Sequence, residues 1–216
     1  MRRISRAKTL TLKNTMLNYA KGNSKEYILV ILIFVIGLFV GVMFINNMSV
    51  AKEETITTYI TEFIEKFKNT PHIDKPKLVA SSMKSNFLLA LILWLAGTTI
   101  IGMPFVLAII LFRGFCLGYT VSAITLTIGL WKGILFCILA LFLQNILFIP
   151  ALLTMGVSSI KLYKSIINDR RRENIKIGII KHTMICILML FVLIIASFIE
   201  NVISIKILDF GINYIS

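Results

Sequence analysis

The side chains able to do chemistry are few and scattered. His72 lies between Pro71 and Asp74, His182 opens an apolar run, and Cys116, Cys137 and Cys186 each sit inside one. Metal-assisted hydrolysis needs ligands at fixed spacing, acyl transfer needs a nucleophile beside a base, and nucleotide chemistry needs a glycine-rich phosphate loop. No H-E-x-x-H, G-x-S-x-G, paired-cysteine or phosphate-loop pattern occurs. Intramembrane proteolysis would need paired aspartates, a Ser with a His, or a zinc triad within apolar segments, and the linear pattern offers none of these. The expectation is a protein with no catalytic residue, no cofactor and no metal, hence not an enzyme. The cysteines are odd in number and isolated, and read as small buried hydrophobes rather than a disulfide set.

Three polar residues stand out because of what surrounds them. Gln144 and Asn145 interrupt an apolar stretch, and an amide facing lipid would leave its donors and acceptors unmatched at a cost of several kcal/mol, roughly. Both should face a helix bundle, either as interhelical hydrogen-bonding groups or as part of a substrate path. Arg113 is the only charge between Lys84 and Lys132. If the chain reverses near Pro104, Arg113 lies about 13 Å deep and needs a partner or must snorkel to the surface. If the chain reverses at Gly114, it is an anchor at the membrane edge.

The elements that hold these residues follow from composition. The chain has 216 residues, 57% of them apolar and 15% charged, with a mean hydropathy of +0.89. That is too apolar for one soluble core, so a bilayer must supply part of the solvent. A hydrocarbon slab of about 30 Å takes about 20 apolar residues per helix. Residues 27–45 make a first span too long for a signal peptide and without its cleavage pattern. Residues 87–131 are long enough for two spans, with a turn at Gly102-Met103-Pro104 or at Arg113-Gly114, the first being favoured. Residues 133–160 and 183–199 supply the fourth and fifth. Gly114-Phe115-Cys116-Leu117-Gly118 is a G-x-x-x-G, which predicts close packing within the hairpin of the second and third spans. The fold class is therefore an all-α integral membrane protein with about five transmembrane helices.

The formal charge of +13 could suggest a nucleic-acid binder, but the bases fall between apolar runs rather than on one soluble face. Residues 1–26 carry seven Lys and Arg against Glu26, and residues 161–182 carry seven against Asp169 and Glu173. Such clusters stay cytoplasmic. Four spans separate them, an even number, so both can share one side. The N-terminus is then inside, with the segment 46–86 and the tail beyond Glu200 outside. Within the outer segment, Ile56, Tyr59, Ile60, Phe63, Ile64 and Phe67 recur at three- and four-residue steps opposite Glu54, Glu62, Glu65, Lys66 and Lys68, which is an amphipathic helix over 53–69. Its apolar face either rests on the bilayer or bundle, or forms an external face for a partner. Residues 9–20 make a weaker amphipathic stretch suited to the inner lipid surface.

The chain resembles the stage II sporulation protein M family of endospore-forming bacteria over nearly its whole length. The most specific pieces are Phe112-Arg113-Gly114-Phe115-Cys116-Leu117-Gly118, then Trp131-Lys132-Gly133, then the run from Leu143 through Gln144-Asn145 to Phe148 and Pro150-Ala151, and the basic exit after Lys161. The wider membrane family often has Asn before the glycine of the third span and His-Gly with a nearby Glu in the fourth. Arg113, Gln144-Asn145 and Phe148 depart from that pattern and favour the sporulation branch. The resemblance implies a non-enzymatic membrane scaffold of forespore engulfment. Its implied partners are membrane lipid and the septal wall hydrolases, stage II sporulation proteins D and P, with no nucleic acid. The alternative from the residues alone is a small transporter or channel subunit. Single-cysteine variants Arg2→Cys and Arg171→Cys should both label from the cytoplasmic side; labelling from opposite sides would collapse the span count.

Overall fold

The computed structural model of the chain describes residues 22–69, 75–168 and 172–215, with side chains left undescribed at 50–51, 63–64, 66–69, 75–79, 139–144, 172–174 and 198–215. The described elements are six helices: α1 Ser24–Asn46, α2 Val50–Asn69, α3 Lys75–Gly97, α4 Gly102–Ile128, α5 Leu130–Asn168 and α6 Arg172–Ile215. Five of them, all but α2, are long and apolar enough to cross a membrane. The amphipathic stretch 9–20 lies outside the described residues.

The helix ends follow local chemistry. Thr98–Ile101 form the turn between α3 and α4, directly before Gly102-Met103-Pro104, where proline's fixed φ suits the first helical turn. Thr99 holds this turn by accepting from the Gly102 amide at 3.0 Å. α4 then runs unbroken through Arg113-Gly114. Between α4 and α5 the chain reverses on Gly129 alone, whose φ of 92° suits a residue without a Cβ. Trp131 and Lys132, both exposed, mark the membrane edge there. The connection between the last two helices is shorter than the 161–182 loop the charge pattern suggested. α5 continues to Asn168 and α6 starts at Arg172, since Lys and Arg are good helix formers once the helix leaves lipid.

One end of the bundle gathers the start of α1, the α3–α4 turn, the end of α5 and the start of α6. Lys164 on α5 donates to Glu26 on α1 at 2.7 Å. Such an exposed pair contributes about 0–1 kcal/mol, so its value here is as a register mark. It brings the base-rich start of the chain and the base-rich end of α5 to the same end. Tyr27 donates to Thr154 at 3.2 Å just inside, and Thr154 donates in turn to the Pro150 carbonyl at 2.7 Å.

The core is a layer of Val30, Leu93, Val106, Ile110, Leu152, Met155 and Leu193, contributed by all five spans. The outward side chains of the same helices, such as Ile28, Phe39, Leu88 and Phe191, remain exposed because lipid covers them. The G-x-x-x-G of α4 does not pack within the α3–α4 hairpin as expected. It meets α1, where Gly37 and Gly41 form a second G-x-x-x-G. A Cβ on Gly37 would fall on the Leu111 carbonyl, one on Gly41 on that of Phe115, one on Gly114 on that of Phe34, and one on Gly118 on that of Leu38. The two backbones are therefore in contact over more than a helical turn. Phe44 then closes this seam edge-on against Phe115, centroids 5.7 Å apart. The first span is thus an integral part of the bundle rather than a separate anchor.

Because backbone cannot yield as a side-chain tip can, a bulky residue at either glycine pair should separate α1 from α4. Gly114→Leu and Gly37→Leu should each destabilise the folded protein by about 3 kcal/mol or more, at the upper end of overpacking costs. Gly22→Leu, with nothing within 4 Å of its added Cβ, should be neutral. Thermal unfolding in detergent, followed by size-exclusion chromatography, measures the difference.

Candidate functional site

Among the polar residues singled out in the sequence, Arg113 has the clearest resolution. It lies 11 residues into α4, about 16 Å from the helix start and so near the middle of a bilayer. No Asp or Glu occurs anywhere in residues 75–168 or 174–199, so no carboxylate on these spans can neutralise it. The half-buried guanidinium instead lies over the ring of Phe148 on α5, 5.1 Å from its centroid. A desolvated cation–π contact contributes about 2 kcal/mol, against an insertion cost of about 2.5–3.5 kcal/mol for Arg at a helix centre. The aromatic face offsets most of that cost where a carboxylate is missing.

Asn145 is half-buried and lines a cavity of about 250 Å³ between α4 and α5, together with Leu117, Val121, Cys137 and Ile149. Arg113 is not part of that cavity's lining. The Gln144 side chain lies outside the described residues.

A second polar assembly escaped the linear reading. His182 is not at a helix start: α6 extends ten residues before it, and the ring is almost fully buried. Ser158 Oγ on α5 and His182 Nδ1 share a hydrogen bond of 2.9 Å. Cys186 Sγ lies 3.6 Å from the other ring nitrogen, Nε2, and the ring also meets the Trp94 backbone at the end of α3. Trp94 Nε1 donates to Thr183 at 3.1 Å, and Ser159 donates to the Met155 carbonyl at 3.0 Å. Gly97 makes the fit feasible, because a Cβ there would lie 2.8 Å from His182 Nε2.

The expectation that no Ser and His meet within the spans is therefore overturned. Helix α6 begins earlier than the apolar run does, which carries His182 into the bundle. The signal that could have found it is the Ser158-Ser159 pair, since hydroxyls inside a span seek partners. Chemically, Ser158 and His182 form a buried hydroxyl–imidazole pair. Besides Ser158, the ring meets the Trp94 backbone and Cys186 Sγ rather than a carboxylate. The assembly joins three helices at the basic end. Farther along the same helices, Asn86 on α3 donates to Ser197 on α6 at 2.8 Å.

The amphipathic helix α2 packs against α4 and α6. Ile56 and Ile60 are half-buried, whereas Tyr59 is 72% exposed. Thr58 and Thr61 bond back to the helix's own carbonyls at 2.8 Å each. The side chains of Phe63, Ile64 and Phe67 lie outside the described residues. The face read from the sequence as one stripe thus divides, at least over Ile56, Tyr59 and Ile60, into positions turned to the bundle and a position turned away. The described residues contain no group of three or more His, Cys, Asp or Glu placed to hold a metal.

Comparison with known proteins agrees with this architecture. No curated protein and no solved structure matches the chain significantly. The profile of the family described as Stage II sporulation protein M matches residues 30–205, from within α1 to within α6, and so includes the α1–α4 glycine contact, Arg113 with Phe148, and the Ser158–His182 assembly. With most of its length matched, this multi-pass membrane protein belongs to the Stage II sporulation protein M family.

Proposed function

We propose that this sporulation-related membrane protein is a non-enzymatic scaffold that localises septal peptidoglycan hydrolases, stage II sporulation proteins D and P, during engulfment of the forespore. Family membership supports a role in sporulation, and the scaffold role is the reading most consistent with the geometry. In that reading the basic end of the bundle is cytoplasmic, following the positive-inside rule, and α2 lies on the wall side of the engulfing septal membrane.

The observation that carries the reading is the placement of α2. A helix packed on one side against α4, with a lighter contact to α6, while Tyr59 projects outward is suited to serve as a platform for a partner. Such a helix presents i, i+3 and i+4 positions to a partner without the ordering cost of a mobile segment. The intramembrane polar groups support the same reading. Arg113, Ser158, His182 and Asn86 each engage a neighbouring helix, which is the use of polar residues that holds a bundle together.

The competing reading, a small transporter or channel subunit, draws on Arg113, Gln144 and Asn145. It requires a continuous wet path, whereas Asn145 and Arg113 are separated in their surroundings and the exposed wall of the Asn145 cavity is apolar.

Replacing Phe63 and Phe67 by Ser should disperse a fluorescent partner hydrolase from the septum in sporulating cells while the bundle still inserts and is recovered in normal amount. Adding Tyr59→Ser should deepen that loss. Unchanged hydrolase placement in the triple variant would remove α2 from the account. Co-purification of the intact chain with an ATPase in place of the two hydrolases would overturn the scaffold.

A further inference from the structure

At the basic end of the bundle, α5 and α6 border a cleft of about 680 Å³. Lys161, Lys181, Ser158, Ser165 and His182 contribute its polar lining, and Ile177 and Met184 are among its apolar lining residues. Lys161 and Lys181 are close enough for their charges to act on one another, and Glu26 acts on Lys161 from α1. Glu26 is already paired with Lys164 at 2.7 Å. Glu26 thus meets Lys164 and Lys161, and Lys181 adds a further positive charge at the cleft.

The shape of the cleft narrows the choice of ligand. Met184 lies about one helical turn deeper than Lys181, so on α6 an apolar position follows a cationic one along the membrane normal. Met184 is 68% exposed, which opens this deeper part of the cleft sideways to the bilayer. Cations and hydroxyls at headgroup level above an apolar, laterally open wall fit an amphiphile with one anionic head. A soluble anion would use the upper half of the cleft only.

We infer that this cleft binds the phosphate headgroup of an anionic phospholipid, with Lys161 and Lys181 flanking the phosphate, Ser165 donating to it, and an acyl chain lying along Met184. Gly178 keeps the cleft floor open, since a Cβ there would meet the Leu162 side chain at 3.1 Å. The site joins the two helices that carry the Ser158–His182 bond, so a bound lipid would brace α5 against α6 beside the short connection between them. This inference does not depend on the scaffold reading or on any partner protein.

The test uses the full-length protein purified in detergent and examined by native mass spectrometry with phosphatidylglycerol, cardiolipin, phosphatidylcholine or inorganic phosphate. The anionic lipids should stay bound where phosphatidylcholine does not. The double variant Lys161→Gln/Lys181→Gln should lose roughly tenfold or more in anionic-lipid affinity, given about 1 kcal/mol for each basic residue. Lys84→Gln, about 20 Å away along α3 from the Gly97 end, should bind as the unaltered protein does. Equal retention in the double variant would overturn the assignment. Binding of inorganic phosphate alone, with no lipid retained, would make the cleft a soluble-anion site and also overturn it. Should the double variant fail to fold, a photoactivatable phosphatidylglycerol on the unaltered protein decides the matter: crosslinks within residues 158–185 support the site, and crosslinks confined elsewhere defeat it.

Discussion

The contact of two helix backbones at four glycines is what makes the rest of this bundle possible. Between transmembrane helices there is little hydrophobic drive, because lipid tails are as apolar as leucine. Association must come from close packing and from polar groups that find one another. Gly37 and Gly41 on α1 and Gly114 and Gly118 on α4 admit each other's carbonyls. That approach gains dispersion contacts over the whole seam. It also holds α4 in the register where Arg113 reaches Phe148 and Ile110 enters the core.

Polar pairing does the remaining work, and it is unevenly distributed. Tyr27 with Thr154, Glu26 with Lys164, Ser158 with His182 and Trp94 with Thr183 cluster toward the basic end. Each interhelical bond contributes only about 0.6 kcal/mol on average in measured bundles. Their larger effect is on specificity, because a register slip would leave several buried donors and acceptors unpaired at once, at about 1–3 kcal/mol for each. The far half relies on the Asn86–Ser197 bond, on the outer part of the glycine seam and on apolar packing.

The glycine seam runs from mid-membrane toward the end that carries α2, whereas most of the polar bonds lie at the basic end. Together they hold the bundle against which α2 packs through α4 and α6. The basic end, in contact with anionic lipid, would hold the same bundle at a set depth.

Much of this was legible in the linear chain. Apolar runs of near-membrane length required the five spans, and Gly102-Met103-Pro104 marked the α3–α4 reversal to within a few residues, the turn itself falling at Thr98–Ile101. The three-and-four periodicity marked α2, because a helix half in water must segregate its faces. If Arg113 lay deep in a span, residue types also required it to find a partner or snorkel, since an unpartnered charge in lipid is too costly; the linear chain left open whether it lay deep. What the chain alone left undecided was who meets whom. Phe148 as the partner of Arg113, Gly37-x-x-x-Gly41 as the receptor for Gly114-x-x-x-Gly118, and Ser158 beside His182 join residues far apart in sequence. The physical reason is that hydropathy reports only the distance of a residue from water. Every span is surrounded by equally apolar neighbours and lipid, so the choice among them rests on shape and hydrogen-bond geometry, which exist only after the helices are assembled.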